Sequence, residues 1–201
     1  MVGHVLLDAD GVLQRHPVGW VEAAAAYVGD DAATFFADVT AHERDLLAGG
    51  DGFAAVLAAV LEKYGVAASA DEVYRAVWLT IEPVAGTVAL VHRLRGLGLG
   101  VHLATNQQAG RAAHMRAELG YDDLFDESFY SCEIGAAKPD PAFFGAALDR
   151  LGVPAPAVLF VDDSAANVTA AREVGLAAEC WHLDEGMDVL GERLAAHGVL
   201  V

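Results

Sequence analysis

Five short apolar runs, most of them followed by a helix-like stretch, constrain this 201-residue chain more than any other feature. The runs are "VGHVLL" (2–7), "LGVHLAT" (99–105), "ESFYS" (127–131), "AVLFV" (157–161) and "AAECW" (177–181). They do not alternate apolar with polar. A continuous apolar run of this length is the mark of a strand covered on both faces. The spacing predicts helices over 84–97, 107–119, 141–151 and 165–174, with Gly98, Gly120, Gly152 and Gly175 just past their ends. That is where a left-handed helix cap favours glycine. Asp140-Pro141 is a helix start, a cap followed by a proline in the first turn. Strands alternating with helices predict an α/β fold with a doubly wound parallel sheet, Rossmann-like, joined by right-handed crossovers.

One segment breaks the alternation. Between 14 and 83 no strand is expected, and alanine-rich stretches read as helices over 18–28, 32–43, 53–64 and 70–79. The domain division that follows is an α/β core from 1–13 and 84–201, with an inserted α-helical cap over 14–83. Hydrophobic residues make up 55% of the chain, enough for a real core. The net charge of −17 argues against nucleic acid and anionic membranes as partners, because both need a basic footprint. Two cysteines with no metal-ligand spacing, no basic leader and no long apolar stretch predict reduced thiols in a cytoplasmic protein. The alanine-rich insert could pair with a second copy, so monomer and homodimer both stay open.

The ends of the predicted strands carry the chemistry. Ligands of open parallel sheets bind beyond the carboxyl ends of the strands. Asp8 and Asp10 follow the first run, and Thr105 and Asn106 end the second. Lys138, in "GAAKPDP", follows the third, and Asp162 and Asp163 follow the fourth. Carboxylates gathered at one edge imply a cation between them. Hard divalent ions prefer carboxylate oxygen, and Mg²⁺ is usually held by one or two carboxylates together with phosphate and water. The lysine and the threonine hydroxyl supply donors for a phosphoryl group. The strongly acidic chain would otherwise repel such a group.

These four motifs, in this order, resemble those of the haloacid dehalogenase-like hydrolase superfamily, in the subclass with a small helical cap. "FVDDSAANVTAAREVGL" is similar to the matching stretch of epoxide-hydrolase-type phosphatase domains and of sugar-phosphate phosphatases. The resemblance implies a role for each position. Asp8 is the expected nucleophile, forming an aspartyl-phosphate. Asp10 is the expected proton donor to the leaving oxygen and later acceptor from water, with its main-chain carbonyl on the metal. Thr105 and Asn106 are expected to hold the phosphoryl oxygens, and Lys138 to neutralise charge on phosphate and on Asp8. Asp163 is the expected direct metal ligand beside Asp8, with Asp162 acting through water or exchanging roles with it. Asn167 is expected to orient that acidic pair.

Asp10 decides the reaction type, since an alkoxide leaving group needs a proton and a halide does not. The expected activity is Mg²⁺-dependent hydrolysis of a small phosphorylated metabolite. A hexose-phosphate mutase shares every motif but needs a second base in the insert. A non-catalytic binding or regulatory protein on the same scaffold would usually have lost part of the acid set. A phospho-acceptor signalling domain is shorter and has no insertion. "GLGLG" at 96–100 precedes a strand instead of following one, so it reads as a helix end, not a dinucleotide loop. His16, Trp20, His42, Arg44, Gln107 and Gln108 are candidates for substrate contact. His102 and Trp78 are expected in the core, with His102 satisfied there.

Overall fold

The computed structural model describes residues 1–41, 43–50 and 52–201; the side chain of residue 44 also lies outside the description. The first strand, β1 (His4–Leu7), buries Val5, Leu6 and Leu7. Its neighbours in space come from far along the chain. After β2 (Gln14–Arg15) the chain runs through α1 (Trp20–Val28), α2 (Ala32–Thr40), α3 (Glu43–Leu47), α4 (Phe53–Lys63) and α5 (Ala70–Val77) before returning at β3 (Glu82–Pro83). The alternation then begins: α6 (Ala85–Gly96), β4 (Gly100–Thr105), α7 (Ala109–Ala117), α8 (Tyr121–Leu124), β5 (Glu127–Tyr130), α9 (Ser131–Ile134), α10 (Pro141–Leu151), β6 (Val158–Asp162), α11 (Ala165–Glu173), β7 (Ala177–Cys180) and α12 (Met187–Ala196).

The large sheet has the order β5-β4-β1-β6-β7, and all four pairings are parallel. β1 is central, with Leu7 opposite both Leu103 and Val161. Successive side chains of a strand point to opposite faces, and both faces are covered. Val5, Leu7, Leu103 and Val161 pack with Leu90, Leu94, Met115 and Leu194 of α6, α7 and α12. Leu6, Ala104 and Phe160 pack with Phe143, Phe144, Val168 and Ala171 of α10 and α11. This two-sided burial is the reason for the uninterrupted apolar runs, and the predicted doubly wound sheet is the sheet observed.

The local signals act as read. Asp140 caps α10 by accepting from the Ala142 amide at 2.9 Å, with Pro141 in the first turn. Gly98, Gly120, Gly152 and Gly175 all take positive φ, between +66° and +99°. The helices between β2 and β3 build an apolar cluster of their own from Ala24, Phe35, Val39, Leu57, Leu61, Val73 and Trp78. Trp78 is therefore in a core, as expected. Three expectations need correction. Residues 14–83 do contain strand: Gln14 and Arg15 pair antiparallel with Pro83 and Glu82 where the chain leaves and re-enters. The helix expected over 32–43 stops at Thr40, and Glu43–Leu47 forms a separate turn of helix. α12 was not anticipated at all. No helix among the described residues is long and apolar enough to cross a membrane.

Candidate active site

The turn after β1 explains why two carboxylates stand one residue apart. Asp8 continues the strand, its amide donating to the Val161 carbonyl at 2.9 Å. The Ala9 carbonyl then accepts from the amides of Val12, Leu13 and Gln14, closing a tight turn. Gly11 sits at its apex with φ +76°, a region that disfavours side chains. A Cβ there would lie 2.5 Å from the Asp163 Oδ2 atom. The turn thus brings the Asp8 strand end, Asp10 and Asp163 together, and it can do so only with glycine at its apex.

Lys138 is the centre of the site. Its side chain is 1% exposed, and its three N–H groups are all used. Nζ donates to Asp8 Oδ1 at 2.8 Å, to Asp162 Oδ2 at 2.6 Å and to the Ala104 carbonyl at 2.7 Å. Burial disfavours the charged amine, but Asp8 and Asp162 outweigh it and raise its pKa. Asp8 is pulled both ways. Burial pushes its pKa up, Lys138 draws it down, and the nearby Asp162 and Asp10 push it up again, for a net rise. Burial and Asp162 raise Asp163 in the same sense.

This is a site with more negative charge than its own lysine offsets. Asp8, Asp162 and Asp163 each offer a carboxylate oxygen, all within 4.8 Å of one another. A hard oxygen set around an uncompensated negative centre fits a divalent cation such as Mg²⁺. The two neighbouring aspartates differ in commitment. Asp162 is fully buried and accepts from Lys138, from the Ser164 amide at 2.8 Å and from Asn167 Nδ2 at 3.0 and 3.1 Å. Among the described residues no donor holds the Asp163 carboxylate. Asn167 therefore orients Asp162 alone, not the pair. Ser164, not either aspartate, caps the following helix.

Thr105 is buried at the end of β4, where its Oγ1 accepts from Gln107 Nε2 at 3.0 Å. The Asn106 side-chain amide donates to the Lys138 carbonyl and accepts from the Lys138 amide, both at 2.8 Å, and so fixes the lysine loop beside Thr105. Asp10 is as heavily bonded as Asp162, with four donor contacts. Gln14 Nε2 donates to its Oδ1 at 2.9 Å and Gln107 Nε2 to its Oδ2 at 2.9 Å. Arg111 grips both oxygens, at 2.6 and 2.8 Å. Burial would raise the Asp10 pKa, but Arg111 and the two glutamines override it and hold it low.

Arg111 and Gln14 were not singled out from sequence. Their carboxylate partner, Asp10, lies 101 and 4 residues away in the chain, and no local pattern marks either residue. A cleft of about 380 Å³ opens beside Asp10 and Asp163, walled by Arg15, His16, Trp20 and His182. His16 and Trp20 thus line the cleft beside Asp10. Gln107 serves Asp10, and Gln108 donates to Glu43 at 3.2 Å beside a second cleft of about 280 Å³. His42 and the Arg44 side chain lie outside the described residues.

A parallel α/β sheet whose strand ends converge on a carboxylate–lysine–carboxylate cluster defines a hydrolase scaffold. The sequence pattern of the haloacid dehalogenase-like hydrolases matches residues 2–175, and the chain belongs to that family. It is 37% identical over 97 residues to the sesquiterpene phosphatase astK of Aspergillus oryzae, covering 48% of this chain and 49% of that protein. The chain thus spans about half of that relative. It is 27% identical over 187 residues to a phosphoglycolate phosphatase of Rhodospirillum rubrum, covering 86% of this chain and 76% of that one. Its fold is shared with a haloacid dehalogenase family enzyme of Bacteroides thetaiotaomicron, solved with magnesium and inorganic phosphate. That likeness has a TM-score of 0.77 at 20% identity, over 94% of this chain and 99% of the other.

Proposed function

We propose that the protein is a Mg²⁺-dependent phosphatase that hydrolyses a small phosphorylated metabolite through an aspartyl-phosphate on Asp8. The observation that carries this reading is the buried Lys138 amine bonded to both Asp8 and Asp162, with Asp163 beside them. A phosphoryl group needs that cation in an otherwise acidic protein. The phosphatases among the relatives support the reaction class, and a fold neighbour solved with magnesium and phosphate supports the metal.

In this reading Asp8 attacks phosphorus in line, and the bond to the leaving oxygen breaks with its electron pair on that oxygen. Lys138 holds charge on the phosphoryl oxygens. The Thr105 hydroxyl, which accepts from Gln107, keeps its own proton to donate to them. Asp10 gives a proton to the leaving oxygen, then takes one from the water that attacks the phosphoenzyme. Asp8, Asp163 and the Asp10 carbonyl are the proposed metal donors. Asp162, its oxygens already bonded, works through a bound water. Magnesium, when bound, offsets the crowded negative charge and orients the phosphoryl group. Residues 14–83 act as the cap over a core of 1–13 and 84–201. The paired strands β2 and β3 are its two connections, and the cap's clefts choose the leaving group. Turnover of p-nitrophenyl phosphate with Mg²⁺ tests the proposal. Activity abolished by EDTA and by Asp8→Asn is expected; turnover that survives Asp8→Asn rules the reading out.

A further inference from the structure

The cleft of about 280 Å³ lies between α4 and α5 of the insert and the amino end of α7. Phe53 and Tyr74 form one wall, with ring centres 5.3 Å apart and planes tilted by 54°. Gly110 lets that wall close on the core, since a Cβ there would lie 3.0 Å from the Tyr74 hydroxyl. Gln108, 5% exposed, lines the opposite wall. Its Nε2 donates to Glu43 at 3.2 Å, which fixes the orientation of the amide and leaves Oε1 buried with no partner among the described residues. A buried acceptor left unpaired costs about 1–3 kcal/mol, so this one calls for a donor. Glu43 is half-buried and has no cationic partner among the described residues. Burial raises its pKa even though Arg111 and Gln108 draw it down. Asp71, at the rim, is already paired with Arg75. Among the described residues no lysine, arginine or histidine lines the cleft. The amino end of α7 brings only a partial positive charge.

We propose that this cleft holds an ammonium group at the far end of the leaving group, so that the substrates are phosphate monoesters of amino alcohols. The inference rests on the phosphatase reading above and names its substrate class. Two aromatic faces attract a cation, while the Glu43 carboxylate and Gln108 Oε1 accept its N–H groups. Other leaving groups fit less well. A carboxylate or a second phosphate would meet the charge of Glu43. A plain hydrocarbon would leave Gln108 Oε1 unpaired, and a neutral hydroxyl would leave the Glu43 charge without a counter-ion. The cleft adjoins the reacting groups through the segment that leads into α7. Gln107, next to Gln108, bonds both Asp10 and Thr105. The charge of Asp10 also adds to the rise in the Glu43 pKa, which puts the two carboxylates near one another. The chain's net charge of −17 favours the positive end of such a substrate, and Lys138 answers its phosphate.

The test compares kcat/KM for 2-aminoethyl, 2-hydroxyethyl and n-propyl phosphate, with full-length protein and Mg²⁺. These esters match in size and differ in the charge and hydrogen-bonding groups of one end. The wild-type protein is expected to prefer the aminoethyl ester over both neutral ones by on the order of tenfold to a hundredfold, the range of a charge-assisted hydrogen bond. The protonated amine also makes its alcohol a better leaving group, but that share stays when Glu43 is changed. Glu43→Gln is therefore expected to shrink the preference by about tenfold, and Phe53→Leu by about threefold. Glu62→Gln, which removes an exposed charge of α4 outside the cleft, is expected to keep the wild-type preference. A wild-type preference below about threefold, a hydroxyethyl ester as good as the aminoethyl ester, or a preference that Glu43→Gln leaves unchanged overturns the ammonium site. Turnover of p-nitrophenyl phosphate with none of the three alkyl esters hydrolysed overturns the substrate class alone. A wild-type protein that hydrolyses none of the four overturns the phosphatase reading itself.

Discussion

Replacing Lys138 with methionine tests the electrostatics of the site through stability alone. The lysine side chain is 1% exposed, Asp162 0% and Asp8 10%, so this is a buried triad. Methionine fills most of the same volume, which keeps any cavity small. What changes is that two carboxylates lose their shared cation and the Ala104 carbonyl loses its donor. Removing one partner of a buried ion pair costs about 3–5 kcal/mol. In a domain of this size each kcal/mol corresponds to roughly 2–4 °C in melting temperature. The loss is also pH-dependent, with a definite sign. Asp8 is already raised to about 8 with the amine present, and without the amine it rises further. Above pH 8 the folded variant therefore keeps a proton that the folded wild type has released, and the deficit widens there by up to about 1.4 kcal/mol per pH unit; below pH 8 it is level. Denaturant titrations of both proteins at pH 9 and pH 7, without metal, measure it. A deficit below about 1 kcal/mol at pH 7, or one no wider at pH 9, refutes the reasoning.

Other consequences can be checked as directly. Burial, with the neighbouring His4 adding to it, depresses the His102 pKa to about 4. Its contribution to stability is complete above pH 6.5 and is lost as pH falls from 6.5 towards 4, up to about 3 kcal/mol. His102→Leu should flatten that part of the stability–pH curve, and an unchanged curve argues against the assignment. Gly11→Ala should destabilise by about 1–2 kcal/mol through strain at φ +76° and displace Asp163. Calorimetric titration should find Mg²⁺ binding weakened with it, whereas affinity equal to wild type contradicts the close approach. Mg²⁺ should raise the melting temperature of the wild-type protein, and Asp163→Asn should remove most of that rise. A full rise in that variant takes Asp163 out of the ligand set.

Much of the fold was legible because burial writes itself into composition. β1, β4 and β6 are covered on both faces and so are mostly apolar, and Asp140-Pro141 marks the start of α10 by local chemistry alone. The β2–β3 pair was illegible because two residues are too few to show a period. The site was legible in its strand-end positions and illegible in its bonding. Asp8 and Asp162 stand at strand ends and could be expected to meet, whereas Lys138 reaches them from the loop after α9. Nothing local to Asn106 tells that its amide bonds the Lys138 backbone. Nothing local to Arg111 tells that it grips a carboxylate 101 residues away. His102 was expected to be satisfied in the core. It is buried and bonds His4 through Nε2, yet its Nδ1 has no partner among the described residues.

The central claim is that the Asp8 carboxylate carries the phosphoryl group during turnover. Acid-quenching the Mg²⁺-loaded protein in the steady state with an aryl phosphate, followed by peptide mass mapping, tests this most directly. The account predicts one phosphoryl group on the peptide containing Asp8, present only while substrate lasts and absent from Asp8→Asn. Sustained turnover with no phosphoryl group on that peptide would contradict it.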